Sequence, residues 1–214
     1  MNVSDIMVKD VITAKADMAA GDALEFMKHK HIRHLPIVDD DGQFIGIVSD
    51  RDLKDAAPSI FEKAHDDFIH VPVSKVMITD VITALPLDFV EEAAYTMVEH
   101  QISCLPVEDD GRLVGIITET DLLNVLVKLT GAALPSSRLE IEVSNESGNL
   151  CMVTQLIRDQ GMNIQSVLLY PSHRDDTKKV LVFRIQAMDM RPLLDRLKNA
   201  GYNVKWPQDL EMGI

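Results

Sequence analysis

In the first 130 residues the hydrophobic positions change their period in a fixed order, and that order occurs twice. Residues 11–14 (Val11, Ile12, Thr13, Ala14) form a short β-type run, after which Ala20, Ala23, Leu24 and Met27 recur at helical spacing. Two further β-type runs, 35–38 and 44–48, flank the turn Asp39-Asp40-Asp41-Gly42, and a second helix begins at Ser49. The same succession returns with Val81-Ile82-Thr83-Ala84, then Val90, Ala93, Ala94 and Met97, then runs at 105–107 and 113–117, then a helix from Thr118. Each copy therefore predicts β-α-β-β-α. The copies, 3–53 and 73–122, are offset by 70 residues until the acidic turn, which is one residue shorter in the second copy and leaves an offset of 69. A length change confined to a turn marks a structural repeat. About 50 residues bury too little surface to be stable alone, so the copies are expected to pack sheet to sheet as a pseudo-twofold pair. A connecting helix or loop should run from Ala57-Pro58 to Val71-Pro72.

Past Gly131 the pattern changes. Residues 132–137, carrying Pro135, read as a linker. Residues 139–143 alternate as a strand, 150–160 are helical up to Gly161, and 164–170 and 180–187 are strands around a charged turn at 173–179. A helix at 192–200 ends at Gly201, and 202–206 is a last strand. The order β-α-β-β-α-β is the ferredoxin-like pattern. The fold class is thus α+β, and an exposed edge strand would be a surface for pairing with a second subunit.

Composition narrows the function. Hydrophobic residues make up 46% and charged residues 26% of the 214, ordinary values for a globular chain. Aromatics are only 5%, too few for a base-stacking platform, and the formal net charge of −13 repels nucleic acid and anionic membranes. No apolar run approaches the ~20 residues of a membrane span, and the start does not read as a signal sequence, so a cytoplasmic location is expected. Cys104 and Cys151 have no metal spacing and read as reduced, buried small residues. His29, His31 and His34 do not have the spacing of a standard metal site. The acidic turns lack a calcium loop, and no catalytic motif is present.

The chemistry that remains lies at the two strand-to-helix junctions. A hydroxyl residue there, Ser49 or Thr118, caps a helix whose outward N–H groups and dipole favour an anion. Asp52 and Asp121, three residues on, can accept hydrogen bonds from ribose hydroxyls. Serine or threonine followed at that spacing by an acid is equally a capping box, which needs no ligand. Around the first junction stand Arg51, Arg33 and His34, where the second copy has Thr120, Ser103 and Cys104. A phosphate needs such a compensating cation in so acidic a protein.

The tandem units, each ending in glycine, two apolar residues, serine or threonine, and an aspartate three further on, resemble paired cystathionine-β-synthase (CBS) domains, the Bateman module. Residues 138–210 resemble an ACT domain. The combination is similar to the acetoin-utilisation protein B family of bacteria. The resemblance implies CBS domains at 1–60 and 73–131, a connector at 61–72 and a linker at 132–137. It implies a regulatory adenine nucleotide (AMP, ATP or adenosine) at Ser49, Asp52, Thr118 and Asp121. Adenine is expected against Val11, Ile12, Thr13, Ala14 and the backbone near Ile32, with Arg33, His34 and Arg51 drawing phosphate to the first copy. In the ACT-like part the loop Asn145, Gly148, Leu150 is the corresponding ligand loop, although Asn145 and Ser147 stand where aspartate and proline are usual. The expected protein is a homodimer without catalytic activity, catalytic cofactor or metal, acting with a partner in acetoin or acetate metabolism, and in spore formers in sporulation. The alternatives are an amino-acid or metabolite sensor working through the ACT part, and an enzyme acting on a nucleotide.

Overall fold

The computed structural model describes residues 1–57 and 68–208. The predicted connector lies largely outside them. The chain divides into two compact units, Met1–Leu123 and Asn124–Ile214.

In the first unit β1 (Ala14–Lys15), α1 (Ala20–Lys30), β2 (His34–Val38), β3 (Phe44–Ser49) and α2 (Asp50–Ala56) follow the predicted order. β2 pairs antiparallel with β3 and parallel with β1. The second copy supplies α3 (Val90–His100), β4 (Cys104–Asp109), β5 (Arg112–Thr118) and α4 (Glu119–Thr130). β4 and β5 pair antiparallel, and Ala84 makes one parallel bridge to Val107 where the first copy has β1. The β-type run expected at 11–14 therefore contracts to its end. Val11 and Ile12 leave the sheet, and the reason lies in how the copies join.

The turns differ as their lengths require. Asp110 and Gly111 both take positive φ, 49° and 78°, closing a two-residue hairpin of the kind that needs left-handed residues at both positions. The longer first turn places Gly42 at φ 80° and uses the Asp39 carboxylate to accept from the amides of Asp41 and Gln43, at 3.0 and 2.8 Å.

Each copy lends its first residues to the core of the other. Val3, in a short 3-10 turn (Val3–Asp5), is buried with Ala84, Ala93, Met97, Leu105 and Ile117 of the second copy. Val73, in the turn Val73–Lys75, is buried with Ala23, Met27, Leu35, Ile37 and Leu53 of the first. The Val3 amide donates to the Asp88 carbonyl at 2.9 Å, and the Val73 amide to that of Met18 at 2.8 Å. The chain then continues against the sheet it has just joined, so that Val8 bridges to Ile116 in β5 and Ile78 to Ile47 in β3.

The second unit contains β6 (Ser137–Ser144), α5 (Asn149–Asp159), β7 (Asn163–Pro171), β8 (Lys178–Gln186), α6 (Arg191–Asn199) and β9 (Asn203–Trp206). Its sheet has the order β7-β8-β6-β9 with every pair antiparallel. Alternate residues of β6, Leu139 and Ile141, pack on Val153, Ile157, Leu193 and Leu197 from the two helices. On the other face Glu142 is buried, accepting from the Ser172 hydroxyl and the Asn203 amide, both at 3.1 Å, with Lys178 and Lys205 at 3.7 and 3.6 Å. Burial raises its pKa, but Ser172, the two lysines and Asn203 outweigh that and hold it below the ordinary carboxylate value. No helix among the described residues is long and apolar enough to cross a membrane.

Candidate functional site

Ser49 ends β3 and caps α2. Its hydroxyl accepts from the Asp52 amide at 3.1 Å, while Asp52 Oδ2 accepts from the Ser49 amide and hydroxyl at 2.8 and 2.7 Å. Thr118 ends β5 in the same way, its amide and hydroxyl donating to Asp121 Oδ2 at 2.8 and 2.6 Å. The Ser49 junction is thus a reciprocal capping box, and at the Thr118 junction the Asp121 carboxylate makes the returning half of one. The box engages one carboxylate oxygen, and the second can still accept from a ligand hydroxyl.

The exchange of first segments decides what faces each junction. Val8 bridges to a residue two before Thr118, so the following Asp10, Val11 and Ile12 run beside Thr118. With His31, Ile32, Arg33 and His34 they line a cleft of about 290 Å³ that also holds Thr118, Thr120 and Asp121. Ile78 bridges to a residue two before Ser49, so Asp80, Val81 and Ile82 run beside Ser49. With Gln101, Ile102, Ser103 and Cys104 they line a second cleft of about 280 Å³ that holds Ser49 and Asp52. Both volumes lie near the lower end of the ~300–1,000 Å³ common for small-molecule sites.

The residues picked out from the sequence are therefore divided differently from the expected grouping. Val11, Ile12, Ile32, Arg33 and His34 join Thr118 and Asp121 of the other copy, whereas Ser49 and Asp52 join a wall from 80–82 and 101–104. Thr13 and Ala14 line neither cleft, Ala14 being buried in β1. Arg51 is exposed on α2 and also lines neither. Sequence reasoning passed over Asp10, Asp80, Val81, Ile82 and Ile102, and gave Thr120 only as the counterpart of Arg51. Repeat alignment pairs Val81-Ile82 with Val11-Ile12 and Ile102 with Ile32, so that signal was present.

The clefts differ in charge. Position for position, Asp10 corresponds to Asp80, Asp121 to Asp52, His31 to Gln101, and Arg33 to Ser103. The Thr118 cleft thus sets an arginine against its two carboxylates, and the Ser49 cleft sets none. His34 lines both clefts, its Nε2 3.0 Å from the Ser103 hydroxyl. Burial first, and Arg33 second, hold the imidazole below its ordinary pKa, against the opposing pull of Asp50, Asp52 and Glu119. Burial, with Asp52 and Glu119, pushes the Cys104 thiol up to about 12 and keeps it protonated at neutral pH.

His29 lies on α1, 3.5 Å from Glu25, while His31 caps that helix at φ 55° and His34 sits in β2. Among the described residues no group of three or more His, Cys, Asp and Glu is placed to hold a metal.

In the second unit Gly148 takes φ 98° directly before α5. A Cβ there would meet nothing within 4 Å, so the left-handed backbone, not close approach, calls for glycine. Asn145 donates its amide to the Thr177 carbonyl at 2.9 Å, and Leu150 is exposed. A neighbouring hollow of about 240 Å³ is lined by Glu142, Asn149, Lys178 and Tyr202, and by none of those three loop residues.

The family model for the CBS domain matches residues 3–59 and 73–128. The homoserine O-acetyltransferase of Methanohalobium evestigatum is 34% identical over 125 residues, which are 58% of this chain and 24% of that enzyme. The chain thus spans about a quarter of that relative. Among solved structures, a Vibrio cholerae protein assigned to acetoin utilization (AcuB) is 36% identical, with a TM-score of 0.55 over 64% of this chain and 98% of its own. The CBS domain pair of protein MJ0100, in complex with 5′-methylthioadenosine and S-adenosyl-L-methionine, is 32% identical, with a TM-score of 0.52 over 59% of this chain and 95% of its own. CBSX2 in complex with AMP is 29% identical, with a TM-score of 0.52 over 59% of this chain and 96% of its own.

Proposed function

We propose, because this chain belongs to the CBS-domain family, that it is a regulatory protein whose repeat pair senses an adenosine-type ligand, with a phosphorylated nucleotide such as AMP bound in the Thr118 cleft. The observation that carries this reading is the meeting of Arg33 from one copy with Thr118, Thr120 and Asp121 from the other. The cap leaves helix amides for a phosphate, Arg33 supplies the compensating charge, Asp121 accepts from the ribose, and Val11, Ile12 and Ile32 offer an apolar wall to the base. AMP in CBSX2 supports the ligand class.

A ligand there touches both copies, so it favours the relative arrangement in which the two walls fit it best, and that preference is the regulatory output. We assign the second unit, read as an ACT-like domain at about 138–210, the role of passing the output on. The AcuB likeness supports a place in acetoin or acetyl-CoA synthetase control, in the cytoplasm, with a protein partner of that metabolism. A homodimer is proposed through the edge strand β7, whose Val167, Leu168 and Leu169 are exposed. No catalytic step is assigned.

Titration calorimetry tests the nucleotide assignment. Arg33→Ala should weaken AMP binding about 10- to 100-fold, the loss of a charge-assisted contact of about 1.5–3 kcal/mol. Unchanged affinity in Arg33→Ala, with binding lost in Arg51→Ala, would return the phosphate to the Ser49 junction.

A further inference from the structure

We infer that the Ser49 cleft is a second site, for a nucleoside whose 5′ substituent is neutral or of net positive charge, and that Ser103 in place of Arg33 sets this choice. The inference rests on the nucleoside-binding reading above and adds the ligand class of the other cleft.

The apolar wall is retained, since Val81, Ile82 and Ile102 stand where the Thr118 cleft has Val11, Ile12 and Ile32. The hydroxyl and carboxylate are retained too, as Ser49 and Asp52. What changes is the compensation. Asp52 and Asp80 line the Ser49 cleft, the positions of Arg33 and His31 are taken by Ser103 and Gln101, and Cys104 carries no charge. The shared His34 is held toward its neutral form by burial and by Arg33. Beyond the lining, Glu119 adds further negative charge, while Asp50 is ion-paired with Lys54. Arg51 is the near cation on α2, and it is exposed outside the cleft.

A phosphate carrying roughly −1.5 to −2 would enter beside two carboxylates with no fixed partner, and like charges in a partly desolvated cleft repel. A neutral 5′ thioether meets no such repulsion, and a sulfonium is attracted. The pair 5′-methylthioadenosine and S-adenosyl-L-methionine, both seen with the related MJ0100 pair, are therefore suitable probes.

The experiment is calorimetry on the full chain with AMP, 5′-methylthioadenosine and S-adenosyl-L-methionine, in the wild type and in Arg33→Ser, Ser103→Arg and Asp80→Asn. AMP should bind with one equivalent, lost in Arg33→Ser, while at least one non-phosphorylated probe still binds that variant. Ser103→Arg should add a second AMP equivalent. Asp80→Asn, the milder change should the arginine disturb folding, should weaken the sulfonium about tenfold relative to the thioether, and an equal effect on both would overturn charge as the selector. Two AMP equivalents in the wild type, or a second one removed by Arg51→Ala, would overturn the inference. So would AMP binding intact with neither other probe bound, which leaves the nucleotide reading standing. Failure of AMP alone, with a non-phosphorylated probe still bound, would overturn that reading and spare this one.

Discussion

His34 is the residue at which the two clefts meet, and its protonation makes the fold sensitive to pH. Its imidazole is kept below the ordinary value, so between that lower value and about pH 6.5 the folded state binds fewer protons than the unfolded chain. Fewer protons in the folded state mean that stability rises with pH across the window. The contribution is complete above about pH 6.5 and declines as pH falls toward the folded value. Thermal melts from pH 7.5 to 5.5 should therefore fall more steeply for the wild type than for His34→Gln, whose amide can still reach the Ser103 hydroxyl. Equal slopes would mean that the ring titrates as if in water. The same residue illustrates a limit of reading a chain linearly. Sequence proximity groups His34 with Ser49, and it does sit opposite Ser49 in the β2–β3 ladder, yet it lines the Thr118 cleft as well.

At the level of elements, the strand-to-helix junctions depend on a glycine three residues before each cap. A Cβ on Gly46 would lie 2.7 Å from the Ile78 carbonyl oxygen, part of the backbone bridge between Ile47 and Ile78 with bonds of 2.8 and 2.9 Å. A Cβ on Gly115 would meet the Met7 side chain instead, 2.4 Å from its Sδ. A flexible thioether can move more cheaply than a hydrogen-bonded backbone. Gly46→Ala should thus cost about 2–3 kcal/mol in denaturant melts and Gly115→Ala about 1, and the former should also distort the Ser49 cleft. If the two variants are equally stable, the bridge is not the constraint. The helices, hairpins and β-α-β-β-α-β order of the second unit were legible because each rests on local periodicity and turn residues. Residues 11–14 read as a short β-type run, yet only Ala14 pairs in the sheet, because an apolar run looks alike whether it pairs or lines a cleft.

Over the whole molecule, the exchange of first segments is the feature with the widest consequence. Val3→Ala should remove about 2 kcal/mol from the second copy, and Val73→Ala a similar amount from the first. Amide exchange distinguishes this from an unexchanged pairing: Val3→Ala should speed exchange in β4 and β5 before β2 and β3, and Val73→Ala the reverse. The opposite order would sink the exchanged arrangement. The amino-acid sequence alone determined the duplication, the turn that absorbs the length change, the hydroxyl–carboxylate pairs Ser49–Asp52 and Thr118–Asp121, and the unequal charge of Arg33 and Ser103. These are properties of neighbouring residues or of the two copies compared. Which wall faces which cap was decided only by tertiary structure. Two copies with the same pattern of core positions offer similar partners, so Val3 and Val73 could dock on either core by local preference. The choice is made by closing one buried core around each of them, a long-range packing that no pattern within a single repeat encodes.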